Sequence, residues 1–217
     1  MYPYDNDGKE RILINLANLI LKISPMILNK PAKTSVELEL SGLMHDIRYH
    51  MDLVTIFHPL DEYRKKCIAN FNLNEEAAQV FVSRADTNIR KSFITLTLFS
   101  LETILKIIAE YHKISIPESD IIKKYKLVMK YFDIYSKENE NLVKILHYTR
   151  NTLHSGDRVD KESHLSYNGK IFDFMPKEKQ KEKRALESTN WNYLTYLFQQ
   201  LLDIFNQITT SQKYKLK

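Results

Sequence analysis

Arg150 and His154 stand four residues apart in the stretch RNTLHSG, Arg150 to Gly156, where a strongly helical run gives out. A guanidinium can hold a phosphate through two parallel hydrogen bonds, and an imidazole can take or give a proton near neutral pH. Together they are a minimal set for cleaving a phosphodiester. The histidine removes the proton of a ribose 2′-hydroxyl or protonates the leaving oxygen, and the arginine stabilises charge on the phosphate. Asn151 can orient either group. At 100° per residue, His147, Arg150 and His154 fall within about 60° of one another, on the flank of a stripe formed by Leu142, Ile145, Leu146, Thr149 and Leu153. They are therefore expected at the border of core and solvent, where a partly desolvated arginine binds phosphate strongly and a cleft still admits a chain. The same residues also fit a plain helix end. Gly156 suits the position after a C-terminus, and Arg and His in a last turn are favoured by the helix dipole whatever the protein does.

Other chemistry-bearing stretches say less. HDIRYHMD, His45 to Asp52, contains two histidines and two aspartates. On a helix Asp46 pairs with His50 and His45 with Tyr49, so at most two ligands converge, whereas a catalytic zinc takes three. Solvated helix surface is expected there. His58 and His112 add no ligand spacing, and the glycine-rich loops that cradle phosphates are absent, so no metal or cofactor is expected. Cys67 follows Lys65 and Lys66, but one thiol without a partner is expected to be inert. In PKEKQKEKR, five positive and two negative charges make Lys179, Lys181 and Lys183 candidates for RNA phosphates. The mixed signs describe a solvated helix start equally well.

These residues must be positioned by helices. Apolar residues recur at helical spacing from Lys9 to about Ile23, and Pro25 is expected to break or restart that helix. Thr34 and Glu37 form a capping box for a second helix running towards His58, despite the strand-like alternation of VELEL. A short helix is expected from Asp61 to Ala69. Asn72 and Glu75 make another cap signature, and roughly forty residues to His112 then contain neither Gly nor Pro, about 60 Å if unbroken. Phe93 to Ile108 within it is apolar on nearly all sides, as suits a central helix. Pro117 is expected to open the next helix, and ENENLVKILHYTRNTLH the one that ends at Gly156. Asn168-Gly169 between two short runs is the signature of a β-hairpin, at about residues 163 to 175, with Tyr167, Phe172 and Phe174 packing it down. A last helix from about Ser188 to Thr210 carries the stripe Trp191, Leu194, Phe198, Leu201, Leu202 and Phe205.

Composition agrees with a helical body. Only 4 glycines and 6 prolines in 217 residues, with 43% hydrophobic and 27% charged residues, imply few turns and a sizeable core. The expected fold is a single all-α helical bundle over residues 1 to 217, with the hairpin as an appendage. The single cysteine excludes an intrachain disulfide framework and suits a reducing compartment, so a cytoplasmic location is expected. The first residues lack the pattern of a secretory signal, and no segment approaches the roughly 18 uninterrupted apolar residues of a membrane span. A net charge of +5 is compatible with a polyanionic partner.

An arginine and a polar residue leading to a histidine, at the end of a helix in an all-helical chain, resembles the HEPN superfamily. Its members are helical bundles, often metal-independent ribonucleases of toxin–antitoxin and phage-defence systems. RNTLHSG looks like the Arg, Asn and His signature of that family, and YNGKIFDF resembles the small hairpin of helical proteins ending in RNxxH; the likeness covers roughly residues 75 to 174. It implies catalytic roles for Arg150 and His154, with Asn151 as the intervening polar residue. It also implies a homodimer with both motifs on one cleft, RNA as substrate, and an antitoxin or other protein as a further partner. Glu102, a charge within the most apolar helix, is placed to back Arg150, or else marks an exposed edge of that helix. The expectation is a metal-independent endoribonuclease. The alternatives are a non-catalytic helical module for a protein or nucleic-acid partner, and a nucleotide-binding accessory domain.

Overall fold

The computed structural model describes residues 8–28, 35–155, 163–174 and 190–215. In chain order these form α1 (Lys9–Leu28), α2 (Ser35–Phe57), α3 (Leu60–Phe71), α4 (Glu75–Tyr111), α5 (Ile121–Tyr131), α6 (Lys137–Ser155), β1 (Ser163–Tyr167), β2 (Lys170–Phe174), α7 (Trp191–Thr210) and α8 (Gln212–Lys215). The expected architecture, an all-α bundle with a small antiparallel hairpin, is what the chain adopts. Thr34, Gly156, Ser188 and the lysines of PKEKQKEKR lie outside the described residues.

The long apolar α4 is the axis. It packs against α2, α3, α5 and α6, while α1 closes the far side on α2 and α7. By length and composition α4 could cross a membrane; in this fold it supplies Phe93, Ile94, Leu101, Ile104, Leu105 and Ile108 to the core, each fully buried. Phe93 meets Phe198 of α7 edge-on with centroids 5.3 Å apart, an arrangement that adds about 0.5–1.5 kcal/mol to the burial itself. The whole predicted stripe of α7 is buried. A second, smaller cluster of Cys67, Ala78 and Val82 joins α3 to the start of α4.

Three boundaries differ from the sequence expectation. Pro25 does not end α1, which runs through it to Leu28. A proline inside a helix costs about 3 kcal/mol, but Ile23 and Met26 on either side are buried, and two such side chains together return about 3–6 kcal/mol. The cap of α4 is Asn74, whose side chain accepts from the Ala77 amide at 2.8 Å; Asn72 instead ends α3 in the left-handed conformation, φ 51°. Pro117 lies in a loop, and α5 is opened by Asp120, which accepts from the Lys123 amide at 2.9 Å. In both cases a side chain able to bond the free amides of the first turn decides the start.

The hairpin pairs Ser163 with Phe174 and Tyr167 with Lys170 around the Asn168-Gly169 turn. Tyr167, Phe172 and Phe174 are buried, as expected. Asn141 of α6 donates to the Ser166 carbonyl at 3.0 Å, and Tyr148 meets Phe174 at 5.3 Å, so the hairpin rides on the outer side of α6.

Candidate functional site

The helix carrying the arginine and histidines, α6, is pinned at its start by one carboxylate. Glu140 is 5% exposed and accepts from Lys144 at 2.6 Å, the Tyr135 hydroxyl at 2.7 Å and Lys137 at 3.0 Å, with Lys126 of α5 at 3.3 Å. These hydrogen bonds, from Lys144 first, hold its carboxyl far below the usual range. Ser136 caps the helix by accepting from the Asn139 amide at 2.9 Å. Leu142, Ile145, Leu146, Thr149 and Leu153 are all buried, so the expected core stripe is real. His147 and Arg150 consequently sit half-buried at its border, with Asn151 and His154 exposed beyond them.

Against this flank α4 runs antiparallel. Thr95 lies beside His154, with Oγ1 2.6 Å from the imidazole Nε2, and Glu102 lies beside His147 and Arg150, lining one pocket with them. Ile121 and Tyr125 of α5, Leu98 of α4, Val143 and Leu146 of α6 and Leu201 of α7 complete the walls. Arg150 makes no ion pair or hydrogen bond among the described residues. A half-buried guanidinium with no ion pair among the described residues, opening on a pocket, is suited to binding an anion.

Both neighbouring imidazoles feel that charge. Burial, then the positive charge of Arg150, hold the His147 pKa below its ordinary value, against weaker opposing pulls from Asp120 and Glu102. His154 is also shifted down, by burial, by Arg150 and by Lys91. Both are therefore predominantly neutral at pH 7. Asn151 donates through Nδ2 to His147 Nε2 at 3.2 Å, consistent with a neutral ring accepting there.

Glu102 does not back Arg150. Its ion pairs go to Lys124 at 2.6 Å and Lys106 at 3.4 Å. Lys124 is 1% exposed, and a buried ammonium requires a carboxylate close by, so α5 captures the acid that the sequence suggested for α6. Burial pushes the Glu102 carboxyl up, but the bond and charge of Lys124, with Lys106, more than offset this and leave its pKa below the ordinary value.

The histidine and aspartate stretch in α2 is not all surface. His45 and Asp52 are exposed, but His50 is completely buried, with its Nδ1 2.7 Å from the Asp46 carbonyl and its ring against Phe93. The i, i+4 spacing allowed either face, and helix rotation brought His50 inward. Among the described residues no three His, Cys, Asp or Glu side chains gather as a metal site. Cys67 is buried in the small cluster below α3.

Sequence reasoning overlooked Thr95, Lys124 and Tyr125, which belong to this site, and a second polar cluster around Asp86. That carboxylate binds Arg90 at 2.7 Å, His58 at 3.2 Å and the Trp191 indole at 3.3 Å, tying α4 to the ends of α2 and α7. Apart from the i, i+4 pair of Asp86 and Arg90, no local signal marks these residues, because their contacts cross helices distant in sequence. Compared with protein-family models, curated proteins and solved structures, the chain matches none.

Proposed function

We propose that this chain is a metal-independent endoribonuclease that cleaves RNA through its own 2′-hydroxyl, in keeping with the resemblance of RNTLHSG to the HEPN signature. The observation that carries the reading is Arg150: a partly desolvated guanidinium without a counter-ion among the described residues, flanked one turn away on each side by His147 and His154. A guanidinium so placed is suited to a phosphate, and two neutral imidazoles along the same helix are suited to moving the proton.

The Thr95 hydroxyl can donate to or accept from His154 Nε2, and the proposed chemistry uses the tautomer in which it accepts. With His154 Nε2–H donating to the Thr95 hydroxyl, Nδ1 carries the lone pair and takes the proton from the 2′-hydroxyl. The bond from 2′-oxygen to phosphorus forms, the bond from phosphorus to the 5′-oxygen breaks, the leaving oxygen takes a proton from solvent water, and the His154 imidazolium returns its own proton to solvent. Arg150 holds the extra charge on the phosphate oxygens as they become more negative. The products are a 2′,3′-cyclic phosphate and a free 5′-hydroxyl.

The reading includes a homodimer. Phe99 and Leu96 of α4 remain 67% and 37% exposed beside Thr95, and a two-fold pairing that covered them would bring two copies of the His154 region together. The reading also gives Lys179, Lys181 and Lys183 a role as phosphate contacts. Toxin–antitoxin or phage-defence membership, a protein antitoxin and a cytoplasmic setting come with the resemblance alone.

The test is cleavage of a ribo-oligonucleotide and of its DNA counterpart by purified protein, with and without a chelator. RNA is expected to be cut to 2′,3′-cyclic ends, DNA not at all, and His154→Ala to lose about a hundredfold or more in rate, the low end for removing a general acid or base. Cleavage that stops with chelator, or that survives both His154→Ala and Arg150→Ala, overturns the reading. The short His154–Thr95 contact favours one alternative, a binding module in which His154 only fastens α6 to α4; its signature is RNA binding without turnover.

A further inference from the structure

The pocket beside Arg150 contains hydrogen-bonding atoms that the fold does not use. Tyr125 is 2% exposed, its ring stands edge-on to Phe205 at 6.0 Å, and its hydroxyl is buried with no partner among the described residues. Folded proteins seldom leave such a group unpaired, since it costs about 1–3 kcal/mol. Glu102 receives both of its lysines on one oxygen, Oε1, so Oε2 remains an acceptor among the described residues. Both side chains line the pocket that Arg150 and His147 also line. The carboxylate's charge reaches the phenol and adds to burial in raising the phenol's pKa, so the hydroxyl stays a donor.

The enclosed part of the pocket is about 20 Å³, room for one water-sized group and too little for a base or a whole phosphate. A non-bridging phosphate oxygen there would set negative charge beside Glu102. A hydroxyl has a proton for Glu102 and lone pairs for Tyr125, and fits both. The pocket lies on the His147 side of Arg150, and His154 lies on the other. In an in-line displacement the attacking and leaving oxygens stand on opposite sides of phosphorus, so with His154 at the attacking 2′-oxygen the leaving nucleotide falls towards the pocket.

We propose that Glu102 and Tyr125 form a seat for the ribose 2′-hydroxyl of the nucleotide whose 5′-phosphate Arg150 holds, the nucleotide on the leaving side of the cut. The ligand is a ribonucleoside 5′-phosphate unit, within an RNA strand or as a free mononucleotide. The assignment of leaving side rests on the endoribonuclease reading; the seat itself does not require cleavage.

Two measurements separate the claims. In the first, the four ribonucleoside 5′-monophosphates and their 2′-deoxy counterparts are titrated into the full chain by calorimetry or NMR. The ribo forms are expected to bind roughly tenfold tighter or more, the value of a hydrogen bond to a charged group. Tyr125→Phe should reduce that preference severalfold, the bond to Glu102 remaining, and Arg150→Ala should weaken binding of both series. In the second, dinucleotides with a ribose on the 5′ side of the scissile phosphate, and ribose or deoxyribose on the 3′ side, are offered for cleavage. Each keeps the attacking hydroxyl, so a slower cut of the ribo–deoxy substrate, with the difference reduced in Tyr125→Phe, reports the seat alone. Ribo preference in binding without any cleavage retains the seat and removes the enzyme. Cleavage with no preference in wild type, no binding of either nucleotide series, or a preference that Tyr125→Phe leaves intact overturns the seat.

Discussion

The imidazole Nε2 of His154 lies 2.6 Å from the Thr95 hydroxyl, so the end of α6 is clasped to the middle of α4 by a residue that the proposed chemistry also uses. Thr95→Val keeps the shape and removes the oxygen. The two tautomers of His154 should then become more nearly equal in ¹⁵N NMR, and RNA cleavage should slow by about tenfold, less than for loss of the histidine itself. An unchanged tautomer ratio would mean that Thr95 does not orient the ring.

Arg150→Ala tests the electrostatics without reference to any substrate. Because its charge opposes protonation of both neighbours, its removal should move the His147 and His154 titrations up towards the ordinary value of 6.5. ¹H–¹³C NMR of the ring protons against pH reads this directly. Should neither titration move, the guanidinium stands farther from the rings than the structure has it.

Tyr125→Phe should not destabilise the fold. The buried hydroxyl has no partner among the described residues, so its removal should raise stability by about 1 kcal/mol. A urea midpoint below that of wild type would reveal a partner for the hydroxyl and weaken the seat assigned to it.

Glu102→Ala should act in the opposite direction. It strands the Lys124 ammonium, whose side chain is 2% exposed against 24% for Glu102, and removal of one partner of such a pair costs about 3 kcal/mol. Lys124→Met in the same background should recover much of that loss, since it withdraws the uncompensated charge. Chemical denaturation of wild type and the two variants shows whether it does.

His50 sets an acid limit. Burial holds its pKa below the ordinary 6.5, despite the opposing bond to the Asp46 carbonyl and the charge of Asp46. Below pH 6.5 the unfolded chain therefore binds a proton that the folded chain refuses, so stability should fall with falling pH until the depressed pKa is reached. The slope from one such group is at most about 1.4 kcal/mol per pH unit. His50→Leu should flatten the pH dependence of the urea midpoint between pH 6.5 and 5; an unaltered slope would assign it to other groups.

Periodicity and turn chemistry by themselves determined the helical class, the hairpin at Asn168-Gly169 and the buried stripes of α6 and α7, because each depends on side chains three or four residues apart, or adjacent in a turn. They also placed His147 and Arg150 at the edge of the core, since that position follows from helix rotation relative to Leu146 and Leu153. Tertiary structure decided which groups meet across helices. Glu102 turned to Lys124 rather than Arg150 because a buried ammonium needs a carboxylate more than a half-exposed guanidinium does. Tyr125 and Thr95 entered the site through the antiparallel passage of α4 and α6 and the lie of α5, distances of 22 residues or more along the chain that no local pattern encodes. Pro25 was overruled in the same way, by apolar contacts with α2 and α7 that exist only once the bundle has closed.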